Sequence, residues 1–217
     1  MGLAADSQNH HISQQFDVDL EKIKARFLEM GHLVEGQVGS AVKALIETDI
    51  VLAKEIRATE QDVNQMEIDI DEECAHIIAR RQPTASDLRL VIAVTKAVAD
   101  LERIGDESAK IAKLAINLSE DGEAPSGYLE VRHIGDQVRK MTQQALTAFS
   151  AMDVHEALKV AQQDQVVDQE YESAMRTLIT FMMEDPHSIS RVMNIIWALR
   201  ALERIGDHAR NIAESVI

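Results

Sequence analysis

The pentapeptide Glu-Arg-Ile-Gly-Asp occurs twice in the chain, at Glu102–Asp106 and again at Glu203–Asp207. The repetition extends beyond this phrase, since Asp49 aligns with Asp153 and the residues around them align at the same separation of 104 positions. The second half of the chain therefore repeats the first. An internal repeat on this scale predicts a fold made of two similar structural units.

Apolar residues recur at alternating spacings of three and four along most of the chain, which is typical of amphipathic helices. In the first such stretch they are Leu20, Ile23, Phe27, Met30, Val34, Val38, Ala41 and Leu45. Only 9 glycines and 3 prolines occur in 217 residues, so turns are few and helices are long. Six stretches fall into two sets of three. The predicted fold class is all-α, with two tandem antiparallel three-helix bundles joined end to end or side by side.

Turn-forming residues set the predicted boundaries. The segment from Ser119 to Gly127 is rich in glycine, proline and serine, which predicts a linker over residues 119–127. It separates a first bundle over residues 14–118 from a second over residues 128–217. The polar residues 1–13 are predicted to form a flexible N-terminus. Asp185 and Pro186 are expected to begin the last helix, and Trp197 on that helix is expected to be packed.

The net charge of −15 excludes several classes of function. Nucleic-acid binding requires clustered Lys and Arg, and no such cluster is apparent along the sequence.

No apolar run approaches the roughly 20 residues that span a bilayer, and the N-terminus lacks the apolar core of a signal peptide. The single cysteine, Cys74, excludes an internal disulfide. We therefore expect a soluble, cytoplasmic protein.

Acidic residues carry the strongest functional signal. Glu203 and Asp207 are four positions apart and therefore leave the same face of a helix. They follow the Asp185–Pro186 turn by about 20 residues, and Asp164 and Asp168 precede it by about the same number. Because antiparallel helices place such residues at the same height, the four carboxylates are predicted to converge.

The first half offers the corresponding set Glu60, Asn64, Glu102 and Asp106. Clustered carboxylates stay ionised together only with a cation nearby or with large pKa shifts. Oxygen donors suit hard metal ions. The predicted ligands are Glu102, Asp106, Glu203, Asp207, Asp164, Asp168, Glu60 and Asn64, for divalent or iron-type ions (Mg, Mn, Fe, Zn or Ca). The second site, with four carboxylates, is expected to hold its cation more tightly.

Two other interpretations remain open at this point. The acids could be solvated surface residues paired with Arg103, Arg204 and Lys110. Alternatively, the chain could be a metal-dependent helical-bundle enzyme of the ferritin-like or phosphohydrolase kind. No phosphate-binding glycine loop, nucleophile motif or zinc spacing occurs in the sequence, so no catalytic residue is predicted. The Glu73–His76 spacing resembles that of di-iron bundles, but it has no counterpart in the second half.

Several segments resemble the PhoU family across nearly the whole chain. They are Val63–Glu67, Ile78–Arg89, Tyr171–Asp185 and both Glu-Arg-Ile-Gly-Asp phrases. The resemblance implies a non-enzymatic adaptor that negatively regulates high-affinity phosphate uptake and the phosphate-starvation response. It implies as partners the ATPase of a phosphate ABC transporter and a phosphate-sensing histidine kinase, which would bring the protein to the inner membrane only indirectly. It also implies a homodimer and metal binding at the repeated Glu-x-x-x-Asp positions.

Overall fold

The computed structural model describes residues 3–83, 85–121 and 126–217, with side chains described from Val18 onward except at positions 86 and 121. Within those ranges it contains seven α-helices and no strand. The helices are α1 (Leu3–Glu47), α2 (Ile50–Ala58), α3 (Glu60–Arg81), α4 (Ala85–Asp121), α5 (Tyr128–Ala151), α6 (Val154–Glu184) and α7 (Ile189–Glu214), with a 3₁₀ turn at Pro186–Ser188. The prediction of an all-α fold is confirmed. No helix of the described part is long and apolar enough to cross a membrane.

The helices form two three-membered bundles, and these share one core. The first bundle consists of α1, the α2–α3 pair and α4; the second consists of α5, α6 and α7. The bundles lie side by side, because α1 packs against α5 and α4 packs against α7. Every apolar residue predicted for the first stripe is buried. Phe27 and Phe149 join the two bundles, with ring centroids 4.4 Å apart.

Reciprocal contacts relate the two bundles. A Cβ atom at Gly31 would lie 2.4 Å from the Leu146 Cδ2 atom, and one at Gly135 would lie 2.6 Å from the Val42 Cγ2 atom. Gly31 aligns with Gly135 and Val42 with Leu146 at the separation of 104 positions. The same glycine-to-aliphatic contact is therefore made once in each direction, as an approximate two-fold relation requires. The missing side chains let α1 and α5 approach closely.

The aligned aspartates Asp49 and Asp153 cap equivalent helices. One Asp49 oxygen accepts from the backbone N–H groups of residues 51 and 52 at 3.0 Å. Asp153 accepts from those of residues 155 and 156 at 2.9 and 3.2 Å. Such caps satisfy donors that have no partner within the helix. The repeat visible in the sequence is therefore a repeat of local structure as well.

The second of the six predicted helical stretches is divided at Thr59. Its hydroxyl donates to the Ile56 carbonyl oxygen at 2.8 Å and accepts from the Gln37 amide at 2.6 Å. A side chain that occupies a helix carbonyl interrupts the ladder of backbone hydrogen bonds. The aligned position in the second half is Gln163, and α6 runs through it without a break. This explains seven helices where the sequence pattern predicts six.

Two predicted boundaries differ from the structure. Helix α1 begins at Leu3 rather than at residue 14, since neither glycine nor proline occurs between Leu3 and Met30. That residues 1–13 are flexible in solution stays a prediction. Helix α4 continues through Asp121, so residues 119–121 of the predicted linker are helical. Residues 122–125 of that linker lie outside the described part, and α5 begins at Tyr128 as predicted.

Candidate functional site

Glycines bring together the helix pairs that carry the acidic residues. A Cβ atom at Gly105 of α4 would lie 3.2 Å from the Val63 Cγ1 atom of α3. At Gly206 of α7, the aligned Val167 of α6 would lie at 3.6 Å. The approach is tight at Gly105, whereas at Gly206 an added Cβ would make ordinary van der Waals contacts. This close approach places the acids of α3 beside those of α4, and the acids of α6 beside those of α7.

The first acidic cluster, as we name it, consists of Glu60, Glu67, Glu102 and Asp106, all half-buried. Burial is the main cause that raises the pKa of Glu102, followed by the negative charge of Asp106. Glu67 and Glu60 raise this pKa further, whereas Arg103 opposes them. Charged groups act on each other's pKa in this way only when they are neighbours in the structure. The acids of α3 and α4 are therefore neighbours.

Two residues complete this first site. Asn64 lies beside the cluster on α3, and its Oδ1 atom is buried without a hydrogen-bond partner. Glu67 was missed by the sequence analysis, although it lies three positions after Asn64 and seven after Glu60 on the same helix face. Burial raises its pKa, followed by the charge of Asp71. The helical spacing alone could have identified Glu67.

The second acidic cluster consists of Asp164, Asp168, Glu203 and Asp207, as predicted. Burial raises the pKa of Glu203, and the charges of the other three acids raise it further. Asp164 is almost fully buried, at 2 % exposure. The Oε2 atom of Glu203 is buried without a hydrogen-bond partner. The α6 and α7 acids therefore meet in the second half as their counterparts do in the first.

A guanidinium distinguishes the second cluster from the first. Arg210 forms ion pairs with Asp164, with Asp207 at 3.1 Å and with Glu214 at 3.5 Å. The Arg210 position aligns with Ala109 in the first half. Arg200 adds a further ion pair in this cluster, reaching Glu203 at 2.6 Å.

The first acidic cluster has no comparable ion pair among the residues whose side chains are described. A count of carboxylates alone predicts that the second site holds its cation more tightly than the first. The positive charge of Arg210 offsets the negative charge of these carboxylates, because the guanidinium lies where a metal ion would bind. The first cluster feels only the charge of Arg103, without an ion pair among the described side chains, so its negative charge is less fully balanced than that of the second.

Of the three cations considered as partners of the repeated acids, Arg103 acts on the pKa of Glu102 and Glu67 without an ion pair among the described side chains, whereas the other two lie elsewhere. Arg204 and Lys110 both pair with Glu107, at 2.7 and 3.0 Å, and Glu107 is 3 % exposed. The Glu73–His76 spacing also has a different role, because Glu73 pairs with Lys22 at 2.8 Å and is held by an arginine of α1 as well. These contacts are structural and leave the two acidic clusters as the candidate sites.

Within the described residues, no group of three or more His, Cys, Asp or Glu side chains is arranged to hold a metal ion. The carboxylates of each cluster are near enough to raise one another's pKa, yet they do not converge on a common point. Mutual repulsion between like charges keeps such groups apart.

Comparison with known proteins agrees with the duplicated helical architecture. The family model described as the PhoU domain matches twice, over residues 27–115 and 131–216. The chain belongs to the PhoU family. Each match falls within one of the two bundles, so the repeated pentapeptide occupies the same place in both domain copies.

Relatives and solved structures extend over nearly all of the chain. A "Phosphate-specific transport system accessory protein PhoU homolog" of Pseudomonas aeruginosa is 62 % identical over 212 residues, covering 98 % of this chain and 88 % of the relative. The protein of that system from Escherichia coli is 42 % identical over 208 residues, covering 96 % and 86 %. These relatives are named as accessory proteins, in agreement with the prediction of a non-enzymatic role.

Two crystal structures have the same fold. PhoU from Pseudomonas aeruginosa superposes with a TM-score of 0.92 at 61 % identity, covering 93 % of this chain and 97 % of that one. The phosphate transport system regulatory protein PhoU from Streptococcus pneumoniae gives 0.85 at 32 % identity, covering 93 % and 94 %. The tandem three-helix architecture therefore persists while two thirds of the residues change.

Proposed function

We propose that the chain is a regulatory adaptor of phosphate homeostasis. In this role it associates with the ATPase of a phosphate ABC transporter and with a phosphate-sensing histidine kinase, at the cytoplasmic side of the membrane. When phosphate is ample it restrains high-affinity uptake and the starvation response. The observation that carries this proposal is the full-length similarity to relatives named as accessory proteins of phosphate-specific transport. The protein acts as a homodimer.

Metal ions at the acidic clusters are the second part of the proposal. The donor set is made of carboxylate and amide oxygens, which are the ligands of hard cations. Asn64 Oδ1 and Glu203 Oε2 are buried without a partner, and a bound cation would satisfy them. In the first cluster the ligands would be Glu60, Glu102 and Asp106 with Asn64. In the second they would be Asp164, Asp168, Glu203 and Asp207.

A cation would therefore stabilise each pair of helices by screening repulsion between carboxylates. It would also draw the side chains together, because the ligands sit on different helices of one bundle. The chemistry is structural: the ion holds α3 to α4, or α6 to α7, in one arrangement. A partner could then recognise the surface that these helices form.

Uptake of radiolabelled phosphate in the native host tests the regulatory role. Deleting the gene should raise uptake severalfold in cells grown with ample phosphate, and the wild-type gene should restore the lower rate. A strain that lacks the transporter ATPase serves as the control for uptake by other routes. Unchanged uptake in the deletion strain at ample phosphate would contradict the proposal.

Metal analysis tests the assignment of the ligands. Purified Glu102→Gln/Asp106→Asn and Glu203→Gln/Asp207→Asn proteins should keep their helicity, since the substitutions are nearly isosteric. Each should hold fewer metal ions per chain than the wild type after chelation and re-exposure to Mg²⁺ or Mn²⁺. A metal content equal to that of the wild type in both variants would refute the site assignment.

A further inference from the structure

A surface groove between α4 and α7 is rich in cationic side chains. The two helices run antiparallel, as the Glu107–Arg204 and Asp100–Asn211 contacts show. The groove has a volume of about 320 Å³. Four cationic side chains line it, namely Lys110, Lys113, Arg200 and Arg204. We refer to it as the α4–α7 groove.

Its charge is opposite to that of the protein as a whole. The chain has 37 acidic residues against 22 lysines and arginines, whereas the groove lining has four cations and one carboxylate, Glu107. Glu107 is buried and is shared between Lys110 and Arg204. Lys113 is exposed and forms no ion pair among the described side chains. The groove therefore keeps an excess of positive charge.

Two other grooves of the described surface have a smaller excess of positive charge or none. The groove between α1 and α3 combines Lys22, Arg80 and Arg81 with two carboxylates and a histidine. The groove that ends at Ile217 has three cations and three carboxylates in its lining. No basic cluster is visible along the sequence, since the four cations lie in two pairs about 90 positions apart. Only the packing of α4 on α7 brings them together.

Trp197 gives the groove an apolar edge. Contrary to expectation it is not packed, and 53 % of it is exposed. It is the only aromatic residue among the exposed large apolar side chains of the described part. Leu114 and Ala201 lie beside it in the lining and are nearly buried. Exposed tryptophan beside arginine is the composition of an interaction hot spot.

We propose that the α4–α7 groove docks an acidic segment with an apolar anchor from the ATPase of the phosphate transporter. The identity of this partner rests on the proposed function. The cations favour an acidic occupant, whereas the protein as a whole carries a net charge of −15. A small anion would leave Trp197 uncovered. From Glu107 to Asn117 the groove follows α4 for about 15 Å, which fits about three turns of a partner helix.

Binding of the full-length chain to the purified ATPase subunit tests the proposal by calorimetry. Lys113→Glu should raise the Kd about tenfold or more, because it places like charges together. Lys54→Glu is the matched control: Lys54 is also an exposed helical lysine, on α2, and the net charge changes equally. It should alter the Kd by less than about twofold. Trp197→Ala should raise the Kd about tenfold, as expected for a hot-spot residue.

The outcomes separate this inference from the proposed function. If the wild type binds the ATPase and both groove variants bind equally well, the groove assignment is wrong and the adaptor role stands. If the wild type does not bind the ATPase, the groove's occupant and that part of the proposed function both fail. Sedimentation of each variant tests whether a second copy of the chain occupies the groove instead of the ATPase. A change of oligomeric state in Lys113→Glu would overturn the proposal. So would displacement of the ATPase by millimolar inorganic phosphate.

Discussion

The first and second acidic clusters occupy the same place in two copies of one domain, yet they are balanced in different ways. In the second, Arg210 lies among the acids and pairs with Asp164 and Asp207. In the first, the aligned residue is Ala109, and no guanidinium of the described side chains takes that place. A duplicated site can thus keep its carboxylates while only one copy pairs them with a guanidinium of the same chain. We expect the first cluster to be the one that responds to metal.

Arg210→Ala, which makes the second half resemble the first, should have the largest effect. It leaves the nearly buried Asp164 without its ion pair, and breaking such a pair costs about 3 kcal/mol of the free energy of unfolding. Urea denaturation without divalent ions measures the loss. Arg176→Ala removes an ion pair in which both side chains are 70 % exposed, so it should cost less than about 0.5 kcal/mol. A loss below about 1 kcal/mol for Arg210→Ala would contradict the buried pair.

Divalent cation should stabilise the protein mainly through the first cluster. At a Mg²⁺ or Mn²⁺ concentration of a hundred times Kd, the expected gain is about 2.7 kcal/mol per site. Glu102→Gln/Asp106→Asn should abolish most of this gain, whereas Glu203→Gln/Asp207→Asn should leave most of it. Thermal unfolding with and without chelator checks the difference. Equal losses in the two variants would show that Arg210 does not distinguish the sites.

Ala109→Arg is the reverse exchange and should have a smaller effect. Ala109 is only 8 % exposed, so an arginine at this position has to extend toward the surface to approach Glu60 and Asp106, as Arg210 approaches Asp164 and Asp207. The gain in metal-free stability should be at most about 1 kcal/mol, since crowding at a buried position offsets part of the ion pair. The further stabilisation by Mg²⁺ should fall at the same time. An unchanged response of the melting temperature to Mg²⁺ would argue that the first cluster is not the metal site.

The pH dependence of metal-free stability should show the smallest effect. The folded-state pKa of Glu102 is raised above 4.5, its ordinary value. The folded state therefore binds this proton more tightly, so its contribution to stability is present below pH 4.5 and is lost as pH rises through the raised value. Between about pH 5 and 7, Glu102→Gln should lose stability less steeply than the wild type.

Melting temperatures measured across that range test this prediction. Asp69 and Glu73 have lowered pKa values and act with the opposite sign as pH falls. They are present in both proteins and cancel in the difference between the two curves, which therefore reports on Glu102 and the acids coupled to it. Parallel curves for the wild type and the variant would mean that burial and Asp106 do not act on Glu102 as described.

Much of the fold and of both clusters follows from local rules. The three-and-four spacing predicts the buried stripe of α1, because 3.6 residues make one helical turn. Equal distance from the Asp185–Pro186 turn predicts that Asp164 and Asp168 meet Glu203 and Asp207. The break at Thr59 was not predicted, since it depends on an amide that Gln37 supplies from another helix.

The membership of each site was less predictable than its position. Glu67 follows the helical spacing and could have been found from the sequence. Arg210 could not be assigned to the second cluster with the same ease, because a long side chain three positions after Asp207 reaches its partners only in a particular rotamer. Its closest partner, Asp164, is 46 positions away on α6.

Sequence alone is enough to establish the duplication, the helices, the family and the two acidic pairs, since each depends on residues close together in the chain or on a spacing that helices enforce. The tertiary structure decides which charges are balanced and which are not. Packing of α4 on α7 gathers four cations into one groove and leaves Trp197 exposed beside them. Electrostatic balance depends on distance in space, which residues about 90 positions apart acquire only when the helices pack.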